Sequence, residues 1–421
     1  MAVPDHAAPA FDRSPWLLER DISFLNHGSF GACPDPVLEA QRVWRERIEA
    51  EPVRFLDREL ETHLDESRLR LAAFLHADAD GIVFVPNATT GVSTVLGSLR
   101  FAPGDEVIAS DHEYNASLNA LRAAAERDGA TVRIVSIPFP IRDPSEAVEA
   151  YVHAVTPRTR FALVSHVTSP TALVLPVAAI VRELDRRGVD TLVDGAHAPG
   201  MVDVDLGALG AAYWTSNGHK WLCAPKGSGL LHVRADLRDR MRPLVTSHGA
   251  NSDRTDRTRF RLLFDWLGTG DPTPYLAMPA AIRYVGGIHE DGWSGLMAAN
   301  AAKARSARDV LCAALDVTAP SPDSMVGSMA SVPLPGVAPT RAAAQRLQAQ
   351  LFDEDRIEVP IVSFPTPAAI EGGGPPAQLL VRVSAQAYNR PAEYQALADS
   401  LARRLRTPTG PRSLLSRLRK G

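Results

Sequence analysis

Residues 191–220 read TLVDGAHAPGMVDVDLGALGAAYWTSNGHK, and this stretch decides the fold. It opens on a short, mostly apolar run that ends in a carboxylate, Thr191-Leu192-Val193-Asp194, and turns at Gly195. A second apolar run, Ala211 to Trp214, leads into Thr215-Ser216-Asn217-Gly218-His219-Lys220. Open α/β sheets place ligand groups at the C-terminal ends of short buried strands. Two such ends close together in sequence, one bearing Asp194 and the other Lys220, point to a single site.

The chemistry that needs this pair is that of pyridoxal 5'-phosphate (PLP). A lysine amine forms a Schiff base with the aldehyde, and a carboxylate keeps the pyridine nitrogen protonated so that the ring can accept electrons. A buried Asp facing a pyridinium is a satisfied ion pair, whereas its charge alone would be costly to bury. The ordinary alternative, a solvated strand-end carboxylate and a surface lysine, is outweighed because several further motifs fall in a fixed order. Asp194-Gly195-Ala196-His197 followed by Ser216-Asn217-Gly218-His219-Lys220 resembles the class V aminotransferase family of fold-type I PLP enzymes, in its isopenicillin N epimerase-like branch. Cysteine desulfurases are more distant relatives. The resemblance extends from Leu25-Asn26-His27-Gly28-Ser29-Phe30-Gly31 to Arg382-Val383-Ser384-Ala385-Gln386-Ala387-Tyr388-Asn389.

Composition limits the alternatives. A chain of 421 residues exceeds what one core usually fills, so two lobes are expected. Apolar residues at 45% and charged ones at 22% are ordinary for a globular protein. Lys and Arg number 45 against 49 Asp and Glu, a balance that makes no electrostatic case for nucleic acid or membrane binding. No apolar run reaches a membrane span, and the N-terminus lacks the basic start and apolar core of a signal peptide, so a cytoplasmic location is expected. Three cysteines, Cys33, Cys223 and Cys312, are too scattered for a disulfide framework or a metal site.

Along the chain, Asp35 reads as the N-cap of a long helix with Pro36 at its first position, and a second helix is expected from Phe55 to Leu75. His63 and His76 read as surface residues. Ile82–Val85 reads as a buried strand running into Pro86-Asn87-Ala88-Thr89-Thr90-Gly91 and an apolar helix to Leu99. Strand, small-hydroxyl turn and helix form a phosphate-binding arrangement, because free N–H groups at a helix start point outward. Further strands are expected at Asp105–Ser110, Thr131–Ile137, Thr159–Val164 and Gly227–Val233, with helices at Pro144–Val155 and Pro176–Arg187. Asp203 and Asp205 could be a metal pair, but Asp205 reads better as the cap of a Leu206–Leu209 turn. The C-terminal lobe shows strands near Met329–Leu334, Ile357–Phe364 and Leu379–Val383, and helices near 301–314, 341–352 and 392–405. The expected fold class is therefore α/β: the fold type I of PLP-dependent transferases, a mostly parallel central sheet with helices on both faces, plus a smaller α+β C-terminal domain. Residues 1–55 are an N-terminal arm and helix joining the small domain, 56–275 the large PLP-binding domain, 276–408 the small domain, and 409–421 a basic tail.

The resemblance implies roles residue by residue. Lys220 is the Schiff-base lysine, and Asp194 the partner of the ring nitrogen. His197 lies beside the ring hydroxyl, where Ser169 replaces the Asn of desulfurases. Ala88, Thr89, Thr90, Asn217 and His219 hold the phosphate. Either His112 or Tyr114 stacks on the ring, and the same two are candidates for a proton donor on the face opposite Lys220. Gly268 and Thr269 match the Gly-Thr that reaches the phosphate of a neighbouring subunit, which implies a homodimer with shared sites. Arg382 matches the arginine that clamps the substrate α-carboxylate, a task suited to a planar bidentate fork. Asn26, His27 and Gly28 border the substrate pocket. The Arg-rich loop 247–261 is a solvated face or a selector of anionic substrates.

The expected function is α-carbon chemistry on an amino acid or peptide-like amino substrate, with no metal. Epimerisation ranks first; a C–S lyase (β-elimination) or an aminotransferase follows, and a non-catalytic PLP-binding regulator comes last. Desulfuration needs a mobile cysteine shortly before the carboxylate-binding arginine, and none occurs between Cys312 and Arg382. Cys223 reads as a packed bystander thiol.

Overall fold

The computed structural model describes residues 15–370 and 378–405. The basic tail expected at 409–421 lies outside the described residues. Among the described residues the strands, in chain order, are β1 (Ser23–Phe24), β2 (Ile82–Val85), β3 (Glu106–Ser110), β4 (Thr131–Val135), β5 (Thr159–Ser165), β6 (Asp190–Asp194), β7 (Tyr213–Asn217), β8 (Gly229–Val233), β9 (Met329–Pro333), β10 (Ile357–Glu358), β11 (Ile361–Phe364) and β12 (Gln378–Ser384).

Seven of them form one sheet in the order β2-β8-β7-β6-β5-β3-β4. The strands from β7 to β4 are mutually parallel, and β8 alone among the described strands of this sheet runs antiparallel, against both β2 and β7. The expectation of a mostly parallel sheet holds, and the exception has a physical cause: β7 and β8 are joined by a connection too short to hold a crossover helix. The apolar runs are buried on both faces because both carry helices. Ile108, Ala162, Val164, Val193, Trp214 and Leu230 face the helices Leu60–Phe74 and Val177–Asp185. The alternate residues Val107, Ala109, Phe161, Leu163, Leu192 and Leu231 face Ala88–Ser98 and Asn115–Asp128. Each fully buried Val, Leu, Ile or Phe side chain among them contributes about 1.5–3 kcal/mol.

A separate antiparallel sheet, in the order β11-β12-β9, packs against the helices Gly292–Leu315, Arg341–Asp355 and Pro391–Leu405. The chain's beginning joins it: β1 pairs in parallel with β10, and Leu25 is buried in the same apolar cluster.

Local chemistry fixes most boundaries. Asp143 and Glu146 form a capping box at the start of Pro144–Ala154. Asp205 caps Leu206–Leu209 by accepting from the N–H of Ala208 at 2.8 Å, as expected. Several expectations are corrected. The helix expected after Asp35 begins at Asp35 itself, with Pro34 in the capping position. The expected helix 55–75 splits into a π-turn, Arg54–Glu59, and the helix Leu60–Phe74. The strand expected over 357–364 breaks at Val359-Pro360 and serves two sheets, because proline cannot donate to a ladder. His63 is packed between Trp44 and Phe55 rather than on the surface. Among the described residues no helix is long and apolar enough to cross a membrane.

Candidate active site

The C-terminal ends of β2, β3, β5, β6 and β7 converge on a cavity of about 280 Å3 lined by Asn87–Thr89, Tyr114, Ser165, Val167, Ser169, Asp194, Ala196, His197, Asn217, His219 and Lys220, with Ser29 and Phe30 from the N-terminal segment. Strand ends are the natural place for such groups, since side chains there escape the sheet while their backbone stays anchored.

Lys220 follows β7 by three residues. Burial, with the like charge of Arg382 and against the pull of Asp194, lowers its amine to about 7. At neutral pH a large share of the side chain is therefore the free, nucleophilic amine. Its Nζ lies 3.1 Å from His197 Nε2. His197 is buried and held well below the usual imidazole range, by burial first and then by the charges of Lys220, Arg382, His219 and His27.

Asp194 ends β6 and is buried. Its Oδ2 accepts from the Ser117 hydroxyl at 2.9 Å and its Oδ1 from the N–H of Ala196 at 3.0 Å. Both donors are neutral, and burial pushes the carboxyl upward despite them. The charge of Lys220 is the last of the influences that lower it, and a protonated ring nitrogen would supply the cationic partner that a buried carboxylate needs.

At the other end of the cavity begins the helix Ala88–Ser98. The side chain of Asn87 caps it by accepting from the N–H of Thr90 at 2.9 Å. Asn217 Oδ1 accepts from the N–H of Ala88 at 2.9 Å, tying the helix start to β7. The helix sits this close because residue 91 is glycine: a Cβ there would lie 1.9 Å from Thr215 Oγ1. His219 is lowered to about 4, chiefly by burial, and its Nδ1 lies 3.3 Å from the carbonyl of Ser228. A helix start, the Thr89 hydroxyl and Asn217 suit an anion of phosphate size.

Arg382 lies on β12, all but the first residue of which are buried. It touches two residues that line the cavity. One terminal nitrogen donates to the carbonyl of Ser169 at 2.7 Å and to its hydroxyl at 3.1 Å; the other donates to Ser29 Oγ at 3.1 Å. Its Nε is buried without a hydrogen-bond partner. Burial lowers the guanidinium to about 10, so it stays charged at neutral pH. A buried cation with an unused donor is prepared for an anionic guest.

Other expected residues lie elsewhere. His112 is fully buried outside the cavity wall; its Nδ1 lies 2.7 Å from Thr171 Oγ1 and its Nε2 3.0 Å from the carbonyl of Ile137. Of the two stacking candidates the structure brings only Tyr114 to the cavity, since β3 ends two residues before His112 and the chain turns His112 inward. Thr90 serves the helix cap instead of lining the cavity. His27 is buried behind Lys220, with its Nε2 3.1 Å from the Lys220 carbonyl and its Nδ1 2.8 Å from the Tyr388 hydroxyl. Asn26 donates to Glu358, and Gly28 donates its N–H to Ser384 Oγ. These three frame the wall, while Ser29 and Phe30 reach the cavity at the end of the helical turn His27–Phe30. Gly268 and Thr269 line two other openings, of about 480 and 680 Å3. The arginines of the 247–261 loop are engaged within the protein: Arg259 donates to the carbonyls of Gly249 and Ala250, and the other three pair with carboxylates. Arg254 pairs with Glu61 and Asp256, Arg257 with Glu61 and Asp65, and Arg261 with Asp65 and Asp265. This network accounts for the loop without an anionic substrate.

Sequence reasoning missed Ser117, Trp221 and Glu113. Trp221 donates its indole N–H to His197 Nδ1 at 3.3 Å. Glu113 is fully buried behind the cavity wall. It accepts from the Ser110 hydroxyl at 2.9 Å, the N–H of Ser165 at 3.0 Å, the Tyr151 hydroxyl at 3.1 Å and the Ser165 hydroxyl. Trp221 adjoins Lys220 in the sequence, but nothing in the local pattern marks the role of any of the three, because their partners come from distant parts of the chain. Among the described residues no group of three or more His, Cys, Asp or Glu is placed to hold a metal ion.

A buried strand-end Asp, an amine lowered to about 7 and a helix start across one cavity define a PLP-dependent enzyme of fold type I. Residues 32–359 match the sequence profile of the family described as Aminotransferase class-V, and the chain belongs to that family. It is 37% identical over 396 residues to isopenicillin N epimerase of Amycolatopsis lactamdurans, covering 91% of this chain and 95% of that one. Against isopenicillin N epimerase of Streptomyces clavuligerus the identity is 33%, covering 92% and 96%. The chain is also 32% identical to a probable chloroplastic L-cysteine desulfhydrase of Arabidopsis thaliana, covering 90% and 82%. In fold it is similar to an apo cysteine desulfurase from Thermococcus onnurineus, with a TM-score of 0.76 at 21% identity over 93% of this chain and 97% of that one. A C-DES variant with glycine covalently linked to its PLP cofactor gives a TM-score of 0.75 at 21% identity, covering 93% and 99%. The cofactor of this enzyme is pyridoxal 5'-phosphate. Asp194 would hold the ring nitrogen, Lys220 the aldehyde carbon, and Thr89, Asn217 and His219 the phosphate.

Proposed function

We propose that this chain is an epimerase or racemase acting at the α-carbon of an amino acid or peptide-like amino substrate. One observation carries the reading: Lys220 and Tyr114 share a single cavity, while His112 is withdrawn from it. Inversion needs a proton carrier on each side of the α-carbon, and these two residues are candidates for that pair. Bound PLP supplies an electron sink that acidifies the α-hydrogen. Lys220, as the free amine, accepts that proton at Nζ. The hydroxyl of Tyr114 returns a proton from the other side. Arg382 fixes the substrate carboxylate, with Ser29 and Ser169 steadying its guanidinium. Asp194, held by Ser117 and the N–H of Ala196, would face the ring nitrogen and keep its proton in place. The two isopenicillin N epimerases at 37% and 33% identity support this assignment.

The second reading is a C–S lyase, supported by the relative named as a probable L-cysteine desulfhydrase. It uses the same proton abstraction and differs in expelling the β-substituent. Aminotransfer would end instead with the proton on the cofactor side. Gly268 and Thr269 line openings other than this cavity, which is compatible with a homodimer in which they serve the partner's site; sedimentation of the purified chain tests the dimer.

Incubation with L-amino acids, L-cysteine among them, in deuterated water separates the readings. Deuterium at the α-carbon with inversion supports the epimerase. Keto-acid and sulfide release from L-cysteine, without inversion of any substrate, overturns it in favour of the lyase.

A further inference from the structure

Trp221 follows Lys220 directly and is 1% exposed. Its backbone and its ring are both fixed. His27 packs against the ring with centroids 4.8 Å apart, and a Cβ at residue 200 would lie 2.5 Å from the Trp221 carbonyl oxygen. The indole N–H donates to His197 Nδ1 at 3.3 Å.

An indole nitrogen can only donate, so Nδ1 of His197 must present its lone pair. His197 is buried, and burial first, then the charge of Arg382, disfavours a positive charge on it. The ring is therefore neutral, and its one proton sits on Nε2. Nε2 lies 3.1 Å from Lys220 Nζ. The bond between them consequently runs from histidine to lysine. Nζ can accept it only as the free amine, because an ammonium has three donors and no lone pair. Were the tautomer reversed, Nε2 would accept instead, and the same contact would favour the ammonium.

We propose that Trp221 is a positioning residue that sets the tautomer of His197 and, through it, holds Lys220 as a free amine with its lone pair aimed at His197. The inference does not depend on whether the enzyme epimerises or eliminates. It assigns a purpose to an aromatic side chain next to the lysine beyond filling space. It also makes the protonation of the Lys220 amine depend on an indole whose hydrogen bond goes to His197 rather than to that amine.

The test uses the full chain, with and without bound PLP, labelled with 15N-histidine, the His197 signals being assigned by their loss in His197→Gln. In the cofactor-free protein Nδ1 of His197 is expected at the shift of a lone-pair nitrogen and Nε2 at that of a protonated one. Trp221→Phe keeps a ring and removes the donor; it is expected to mix or reverse the two shifts. The pH midpoint at which Lys220 becomes open to reductive methylation, read by peptide mapping of the cofactor-free protein, is expected to rise by about one unit, the order of one hydrogen bond changing direction. A purely structural role would lower the unfolding midpoint without moving these signals. A wild-type His197 carrying its proton on Nδ1 overturns the proposal, whether or not the variant folds. So does a folded Trp221→Phe with unchanged nitrogen shifts and an unchanged Lys220 midpoint.

Discussion

Replacing Glu113 by glutamine should make the protein more stable at alkaline pH than at acidic pH, relative to wild type. Glu113 is fully buried, and burial is the largest of the forces that raise its carboxyl from 4.5 to about 7. The hydroxyl and N–H of Ser165 and the hydroxyl of Ser110 oppose the rise, and the nearby charge of Asp194 adds to it. A carboxyl raised on folding binds its proton more tightly in the folded chain. Its stabilising contribution is complete below pH 4.5 and disappears as the pH climbs through about 7. Taken at 1.36 kcal/mol per unit, that loss is about 3 kcal/mol. Glutamine does not titrate and fits the same space. Its oxygen keeps the donors from Ser110, Ser165 and Tyr151, and its amide donates to the Ser165 hydroxyl, which turns to accept. Urea unfolding of both proteins at equal PLP concentration, from about pH 4.5 to about pH 8, should show their difference growing by about 3 kcal/mol in favour of the variant. Two curves that stay parallel across that range would refute the reasoning.

Cofactor-free protein should capture PLP covalently at a rate that rises with pH through about 7, where the Lys220 amine loses its proton, and then levels off. Stopped-flow absorbance checks this, and a midpoint near 10 contradicts it. Tyr114→Phe should keep exchange of the α-hydrogen with solvent while losing inversion by roughly 10²–10⁴-fold, the usual worth of a positioned proton donor. NMR washout set against polarimetry separates the two. Gly91→Ala should destabilise the fold by about 1–3 kcal/mol, the cost of forcing a methyl group against Thr215, and weaken PLP binding by displacing the helix start. Urea midpoints and a fluorescence titration measure both effects.

The large sheet was legible because its strands are short unbroken apolar runs, a pattern that burial on both faces imposes on them. Ile82–Val85 matches the expectation residue for residue, and Asp205 caps the turn for which it was read. Breaks inside a continuous pattern were less visible: the π-turn at Arg54–Glu59 keeps helical periodicity, so nothing in the sequence separates it from the helix that follows. At the site, strand-end residues such as Asp194 and Asn217 could be read because position along a strand predicts exposure to the cavity. His112 and Tyr114 could not be told apart, because which of two nearby residues turns inward depends on partners such as Thr171, distant in sequence. The same holds for Ser117 and Glu113, whose contacts with Asp194 and Ser165 span 77 and 52 residues.

The hydrogen bond from the N–H of Ala88 to Asn217 joins residues 129 positions apart. The strand between them in the sheet, β8, is made later still. A Cβ at Gly229, where β8 begins, would lie 2.9 Å from the Cα of Asn87, so the strand seats itself directly against this loop. During translation, then, the first half of the vitamin-binding cleft waits for the second. A nascent chain that has left the ribosome only as far as β6 already displays Asp194 but has neither the lysine nor the wedge that closes the sheet. The covalent link to the vitamin therefore has to wait until Lys220 has been synthesised, after every parallel strand of the sheet.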